Sequence, residues 1–244
     1  MIYNVRKKFV FVHIPRTGGI AITDALLSAF PDSCVDVVDR RHRYGMGVKG
    51  LDRLSNLWDN LFKFTFMRNP WDIIESDFKL LLRDVAILHS HSKMELHDRW
   101  YHKLHRVKNC KSFSEYVARE YLGRNVIWEG GFWRTWCCNK AGEDLGFKVF
   151  FHESIDRDWT VIQNQLEINQ PLDRMNNYGT LHFSSKYTPV VFGNLGVEPP
   201  KMPNVHIPMP FDITWTPAAR DAIGELCYLD VEKFGYEFQG QLAS

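Results

Sequence analysis

Long apolar runs are missing from this 244-residue sequence. A membrane-spanning helix needs about 20 consecutive apolar residues, and the run Phe9–Val12 is far shorter. Met1–Lys8 before it is polar, which does not fit the layout of a secretory leader. Charge of one sign is also missing. Thirty Lys and Arg stand against 29 Asp and Glu, a formal net charge of +1. A whole-protein field therefore cannot draw in nucleic acid, and any anion must be held by local clustering. Cysteines are few and irregular: Cys34, Cys110, Cys137, Cys138 and Cys227. An odd count with one adjacent pair suits neither a disulfide framework nor a zinc site, and a reducing compartment is expected. His89, His91, His97, His102 and His105 lack a ligand spacing and interleaved acidic or cysteine partners, so no metal is expected. No repeat is present. Aromatics are plentiful, and the length suits one large domain with a substantial core.

Phe9 to Phe30 organises the chain. Phe9-Val10-Phe11-Val12 reads as a strand buried on both faces. His13-Ile14-Pro15-Arg16-Thr17-Gly18-Gly19 follows as a turn. Ile22, Ala25, Leu26, Ala29 and Phe30 then recur at the spacing of one helical face, with Pro31 as the stop. Two adjacent glycines allow a tight turn whose N–H groups approach a ligand, and the helix N-terminus adds partial positive charge. A phosphate or sulfate suits such a loop, with Arg16 as a fixed cation. A surface arginine on an ordinary strand–helix turn is the plainer alternative. The loop is not a Walker A, since no Lys-Ser or Lys-Thr follows the glycines.

A second unit repeats the pattern. Phe62–Met67 reads as a strand, and Arg68-Asn69-Pro70-Trp71-Asp72 as a capped helix start. Ile74, Phe78, Leu81, Leu82 and Val85 form the buried stripe of this helix. Arg68 and Ser76, eight residues apart, are placed to converge on one anion. Leu51–Leu61 reads as a short amphipathic helix after the basic stretch Arg40–Tyr44. A third unit runs from the strand Phe147–Phe151 past Glu153 into a helix carrying Ile155, Trp159, Ile162 and Leu166. A last helix starts at Thr216-Pro217 and ends at Gly235, with Tyr236 and Phe238 plugging the core. Between these units, about 86–146 is helical in tendency, and about 169–212 is Pro-rich with little periodicity. The tryptophans and phenylalanines near 100–136 are read as core. Recurring strand–helix units imply an α/β fold with a mainly parallel sheet.

The loop His13–Gly19, the block FKFTFMRNPWDIIES and the ending DVEKFGYEF resemble the PAPS-dependent sulfotransferase family, in its carbohydrate-type (heparan sulfate 2-O/6-O-like) branch. Arg16 stands where that family usually has Lys, and Ile20-Ala21 where Thr-Ser is common. The resemblance implies a P-loop-kinase-like three-layer fold over a single domain, 1–244, with 86–146 as an acceptor-recognition insertion. It implies sulfuryl transfer from PAPS to a hydroxyl of a glycan or other small acceptor, with no metal required. Arg16, Thr17, Gly18, Gly19, Ile20 and Ala21 would hold the 5′-phosphosulfate, Arg68 and Ser76 the 3′-phosphate, and Lys186 would cover the cofactor. Arg16 would also act catalytically. The related enzymes carry a base histidine between the first two motifs, which points to His42 ahead of Asp39, Asp24 and Glu75. Glu153 matches the family's later Glu and is expected to be structural. Without a membrane anchor, a cytoplasmic bacterial or viral member is expected. A catalytically inactive nucleotide-binding module and a P-loop-type kinase are the alternatives.

Overall fold

The computed structural model describes residues 1–35, 55–90, 110–123, 127, 129–139, 141–173, 213–240 and 242. Five strands form one mixed sheet: β1 (Ile2–Asn4), β2 (Phe9–Val12), β3 (Cys34–Val35), β4 (Phe62–Met67) and β5 (Lys148–Phe151). Their order is β3-β1-β2-β4-β5. The β2–β4 and β4–β5 pairs are parallel, and β1 runs antiparallel to both β2 and β3. The parallel part is as the sequence implies. The antiparallel β1 corrects the reading of Met1–Lys8 as merely polar. Its one buried polar residue, Asn4, donates to Asp32 Oδ1 and to Ser33 Oγ, both at 3.1 Å. A buried amide with its partners supplied costs little, so a polar residue can sit in this strand.

Alternation along β2 sends Phe9 and Phe11 to one face and Val10 and Val12 to the other, and separate cores form on each. Helix α1 (Gly19–Ala29) packs Ile22, Ala25 and Leu26 against the phenylalanine face, as the spacing predicts. Helix α2 (Pro70–Ser90) covers the opposite face with Ile74 and Phe78. Asn69 starts it: its Oδ1 accepts from the Trp71 N–H at 3.2 Å and its carbonyl from Ile73 at 3.0 Å. Two short helices, α3 (Phe113–Val117) and α4 (Phe132–Cys137), join α2 on that face. Trp133 and Phe132 lie in the core as expected, while Trp100, Tyr101 and Trp128 lie outside the described residues. Helix α5 (Ile155–Leu166) returns to the phenylalanine face through Trp159, Ile162 and Leu166. Of the amphipathic helix read over Leu51–Leu61, the described part is a 3₁₀ turn, Ser55–Asn60.

The last helix is two helices, α6 (Pro217–Leu226) and α7 (Tyr228–Phe234), with a break at Cys227. Periodicity runs through the break because its cause is tertiary. The Gly130 N–H donates to the Leu226 carbonyl at 2.8 Å, where the next helical turn would bond. The turn at Cys227 brings Asp230 inward, where it accepts from the N–H groups of Phe132 and Trp133 at 2.7 and 2.9 Å. Asp230 thus caps α4 from across the chain. Gly131, at φ 100, comes so near that a Cβ would lie 2.3 Å from Asp230 Oδ2.

Burial pushes the Asp230 carboxyl up to about 7, against the pull of the two backbone donors. A folded value above the unfolded one means the native state keeps a proton that the unfolded chain releases. Stability from this group is full below about 4 and is lost as pH rises toward about 7, by up to about 4 kcal/mol. Urea denaturation at pH 5 and pH 7.5 should show Asp230→Asn with a flatter pH slope than the wild type. An identical slope in both proteins would remove Asp230 as the source.

Candidate anion site at the strand ends

Because β2, β4 and β5 are parallel, their carboxyl ends share one edge, the side on which open α/β sheets bind ligands. The residues that follow these strands are His13, Arg68 and His152. The loop after β2 is held from below. Thr17 is buried and its hydroxyl donates to the Ile14 carbonyl at 2.8 Å, closing the turn on itself. Thr65 in β4 donates to the Val12 carbonyl at 2.8 Å and ties the end of β2 to its neighbour. Arg16 and Gly18 have left-handed backbones, φ 69 and 83. The second is ordinary for glycine, the first uncommon for a side chain with a Cβ. Gly18 is the cap of α1, which has no side-chain cap and no acidic residue in its first turn. The positive end of α1 is therefore not neutralised from within the helix. Gly19 is fixed by its neighbour, since a Cβ there would fall 1.9 Å from His13 Cδ2. Burial, then the chain N-terminus and Arg16, lower the His13 imidazole to about 4, so it is neutral at pH 7.

The two motifs meet directly. Arg16 donates from Nε and Nη2 to the Ser76 hydroxyl at 3.1 and 2.7 Å. Arg68 donates from Nη1 to the Arg16 carbonyl at 3.3 Å. Ser76 is buried although it lies on the polar stripe of α2. Arg16, Ser76 and Arg68 thus form one cationic group beside the N-terminus of α1. Ile20 is half exposed at the start of that helix and Ala21 is buried, and neither supplies the hydroxyl found at these positions in the resembled motif.

Among the other candidate residues, Glu75 accepts from the Trp215 indole at 2.9 Å and from Lys79 at 3.2 Å. Its carboxylate is held by structural contacts. Glu153 accepts from the Asn69 N–H at 2.8 Å, pinning the start of α2 to the end of β5, which is the structural role expected. Asp24 lies on α1. His42, Asp39 and Lys186 lie outside the described residues, as do Arg40–Tyr44 and most of the Pro-rich segment.

Two further residues at the site lie outside the expected ligand set. The His152 Nδ1 and the Tyr236 hydroxyl are buried with no hydrogen-bond partner. Burial lowers the His152 pKa, and Arg68 and Arg16 add to this, while a backbone hydrogen bond with Thr17 and the Asp72 charge act the other way. Burial also drives the Tyr236 phenol far upward, helped by Glu153, Asp230 and Asp72, so it stays protonated. Asp72 in the first turn of α2 is raised by burial, opposed by Arg68 and supported by Glu75 and Glu153. The signal that could have found His152 is positional: it follows β5 directly, as Arg68 follows β4. Comparison with family models, with curated proteins and with solved structures finds no match for this chain.

Proposed function

We propose that this chain is a PAPS-dependent sulfotransferase that moves a sulfuryl group to a hydroxyl of a glycan or other small acceptor. The observation that carries the reading is the joining of the two anion motifs: the Arg16 side chain on Ser76, and Arg68 on the Arg16 carbonyl. Two guanidinium groups and an uncapped helix N-terminus at one strand edge fit a ligand with two separate anionic groups. A glycine turn leading into a helix N-terminus, an arrangement suited to a phosphate, supports the same reading. The loop N–H groups from Thr17 to Ala21 would face the 5′-phosphosulfate. Arg68 and Ser76 would hold the 3′-phosphate, with Lys186 closing over the cofactor. Arg16 would stabilise charge on the departing phosphate oxygen, with a planar fork in place of a lysine ammonium. His42 would take the acceptor's proton, with Asp39 and Asp24 next in order.

A nucleotide-binding module without turnover is the second reading. Its support is specific: Arg16 is bonded to Ser76, and Ile20 and Ala21 replace hydroxyl residues.

Adenosine 3′,5′-bisphosphate should bind without added metal and raise the melting temperature. ADP lacks the 3′-phosphate and should bind at least ~10-fold more weakly, since a charge-assisted bond contributes about 1.5–3 kcal/mol. Arg68→Ala should weaken the bisphosphate by roughly 2–3 kcal/mol. Calorimetry with the bisphosphate, ADP and ATP reads all of this. Equal affinities, or a strict Mg²⁺ requirement, would remove the sulfotransferase reading and favour a kinase.

A further inference from the structure

His152 has no part in the roles assigned above, yet it lies directly beneath the loop. A Cβ placed on Gly18 would come within 3.2 Å of His152 Nδ1 and 2.7 Å of Ile155 Cδ1. Because residue 18 is glycine, only backbone separates this imidazole from the start of α1. The Nδ1 is buried and has no hydrogen-bond partner. The charges that face it come from three elements: Arg16 from the loop, Arg68 from the end of β4 and Asp72 from the first turn of α2. From α5 its neighbour is the apolar Ile155. Burial and two cations outweigh the backbone hydrogen bond with Thr17 and the Asp72 carboxyl, so the ring is neutral at pH 7 and above. A dianion between Arg16, Arg68 and the N-terminus of α1 reverses this balance. It neutralises both guanidinium groups and adds negative charge of its own at short range, in a partly desolvated place where charges act strongly. The Tyr236 hydroxyl is a second buried atom without a partner, and it too senses Arg68 and Asp72. Two such atoms within electrostatic reach of one arginine mark a place short of polar partners.

We propose that His152 is the proton-accepting partner of the anion loop: when a dianion is held at Gly18–Gly19, one solvent proton moves onto the neutral His152 imidazole, so ligand binding and proton uptake are coupled. No other bond forms or breaks. The inference rests on the anion-site reading above. It deepens that reading by making this residue a positioning group that favours doubly charged ligands over singly charged ones and tightens their binding as pH falls.

The test is the NMR titration of the His152 ring C–H, assigned through the backbone of the labelled wild-type protein so that no variant need fold. It is run on the protein alone, with saturating sodium sulfate, and with saturating adenosine 3′,5′-bisphosphate. Sulfate is a clean probe because it does not itself titrate between pH 5 and 9. The expected result is an upward move of the His152 midpoint by ~1 pH unit or more with either ligand. His152→Gln should bind the bisphosphate with an affinity that changes less between pH 8 and pH 6 than that of the wild type. It should lose the part of the tightening that the wild type gains on going to pH 6, up to ~10-fold for each pH unit the midpoint moves. Ligand-phosphate titration is common to both proteins and cancels in that comparison. A midpoint that stays put while the bisphosphate binds overturns the inference and leaves the nucleotide reading intact. A midpoint that moves with sulfate, with no bisphosphate binding, supports the inference and removes the nucleotide reading. Binding of neither ligand overturns both.

Discussion

Under the sulfotransferase proposal, Arg16→Ala is expected to lower turnover with PAPS by ~10²-fold or more, the cost of removing one preorganised donor from a developing oxyanion. The geometry makes this residue hard to replace. Its guanidinium is already fixed by two N–H groups on one buried hydroxyl, Ser76, so little side-chain freedom is lost when the transition state forms. Its carbonyl is held by Arg68, and that bond to the main chain survives truncation of the side chain. The loop should therefore keep its shape in Arg16→Ala. Bisphosphate affinity should fall less than turnover does. Arg16→Lys restores the lysine of the resembled motif and should keep or raise the rate. Steady-state kinetics with PAPS and a broad acceptor panel, beside calorimetry on the same proteins, separates the effects. If neither the wild type nor Arg16→Lys turns over while both bind the bisphosphate, the non-catalytic module is the better reading.

Gly19→Ala should destabilise the protein although alanine is the better helix former. Within a helix the exchange ordinarily stabilises by up to about 1 kcal/mol. Here the new methyl would sit 1.9 Å from His13 Cδ2 and 2.5 Å from its Cγ. Both atoms belong to a rigid ring, stacked on Phe11 with centroids 6.2 Å apart. The ring cannot yield as the tip of a flexible chain would, so the loop or the helix must shift. Overpacking of this kind costs about 1–3 kcal/mol or more. For a chain of this length that corresponds to a melting temperature roughly 2–10 °C lower. Bisphosphate binding should weaken as well, because the displaced backbone carries the loop N–H groups. A melting temperature at or above that of the wild type would show that His13 has room to move, and that Gly19 is not fixed by packing.

The strand–turn–helix units were legible because each has a local cause. Four apolar residues, a glycine turn and a helical face are read within about 20 residues of sequence, and β2 with α1 follows that reading almost to the residue. Features that depend on distant partners were not legible. β1 contains Asn4, whose burial makes sense only once Asp32 and Ser33 are beside it. The break at Cys227 is made by Gly130, on another segment. At the site, Arg16, Arg68 and Ser76 could each be singled out by motif spacing. That the Arg16 side chain is engaged by Ser76 could not, because it depends on how β2 and β4 are paired. No motif assigns His152 or Tyr236 to the site. They stand out only because buried polar atoms are normally satisfied and theirs are not.

The strand pairing also sets an order of assembly during synthesis on the ribosome. β1 and β2 meet across one short turn, so their mutual pairing is complete within the first twelve residues, while β3 joins β1 only at Cys34–Val35. β4 finds β2 some fifty residues back and must then wait for β5, which ends at Phe151. Until that point the nascent chain carries Phe62, Phe64 and Phe66 on a strand with one open edge, the type of segment that captures another copy of itself. The cap on α4 comes later still, when Asp230 leaves the tunnel. A chain stalled between these two events has its sheet in place and the first N–H groups of α4 without their acceptor.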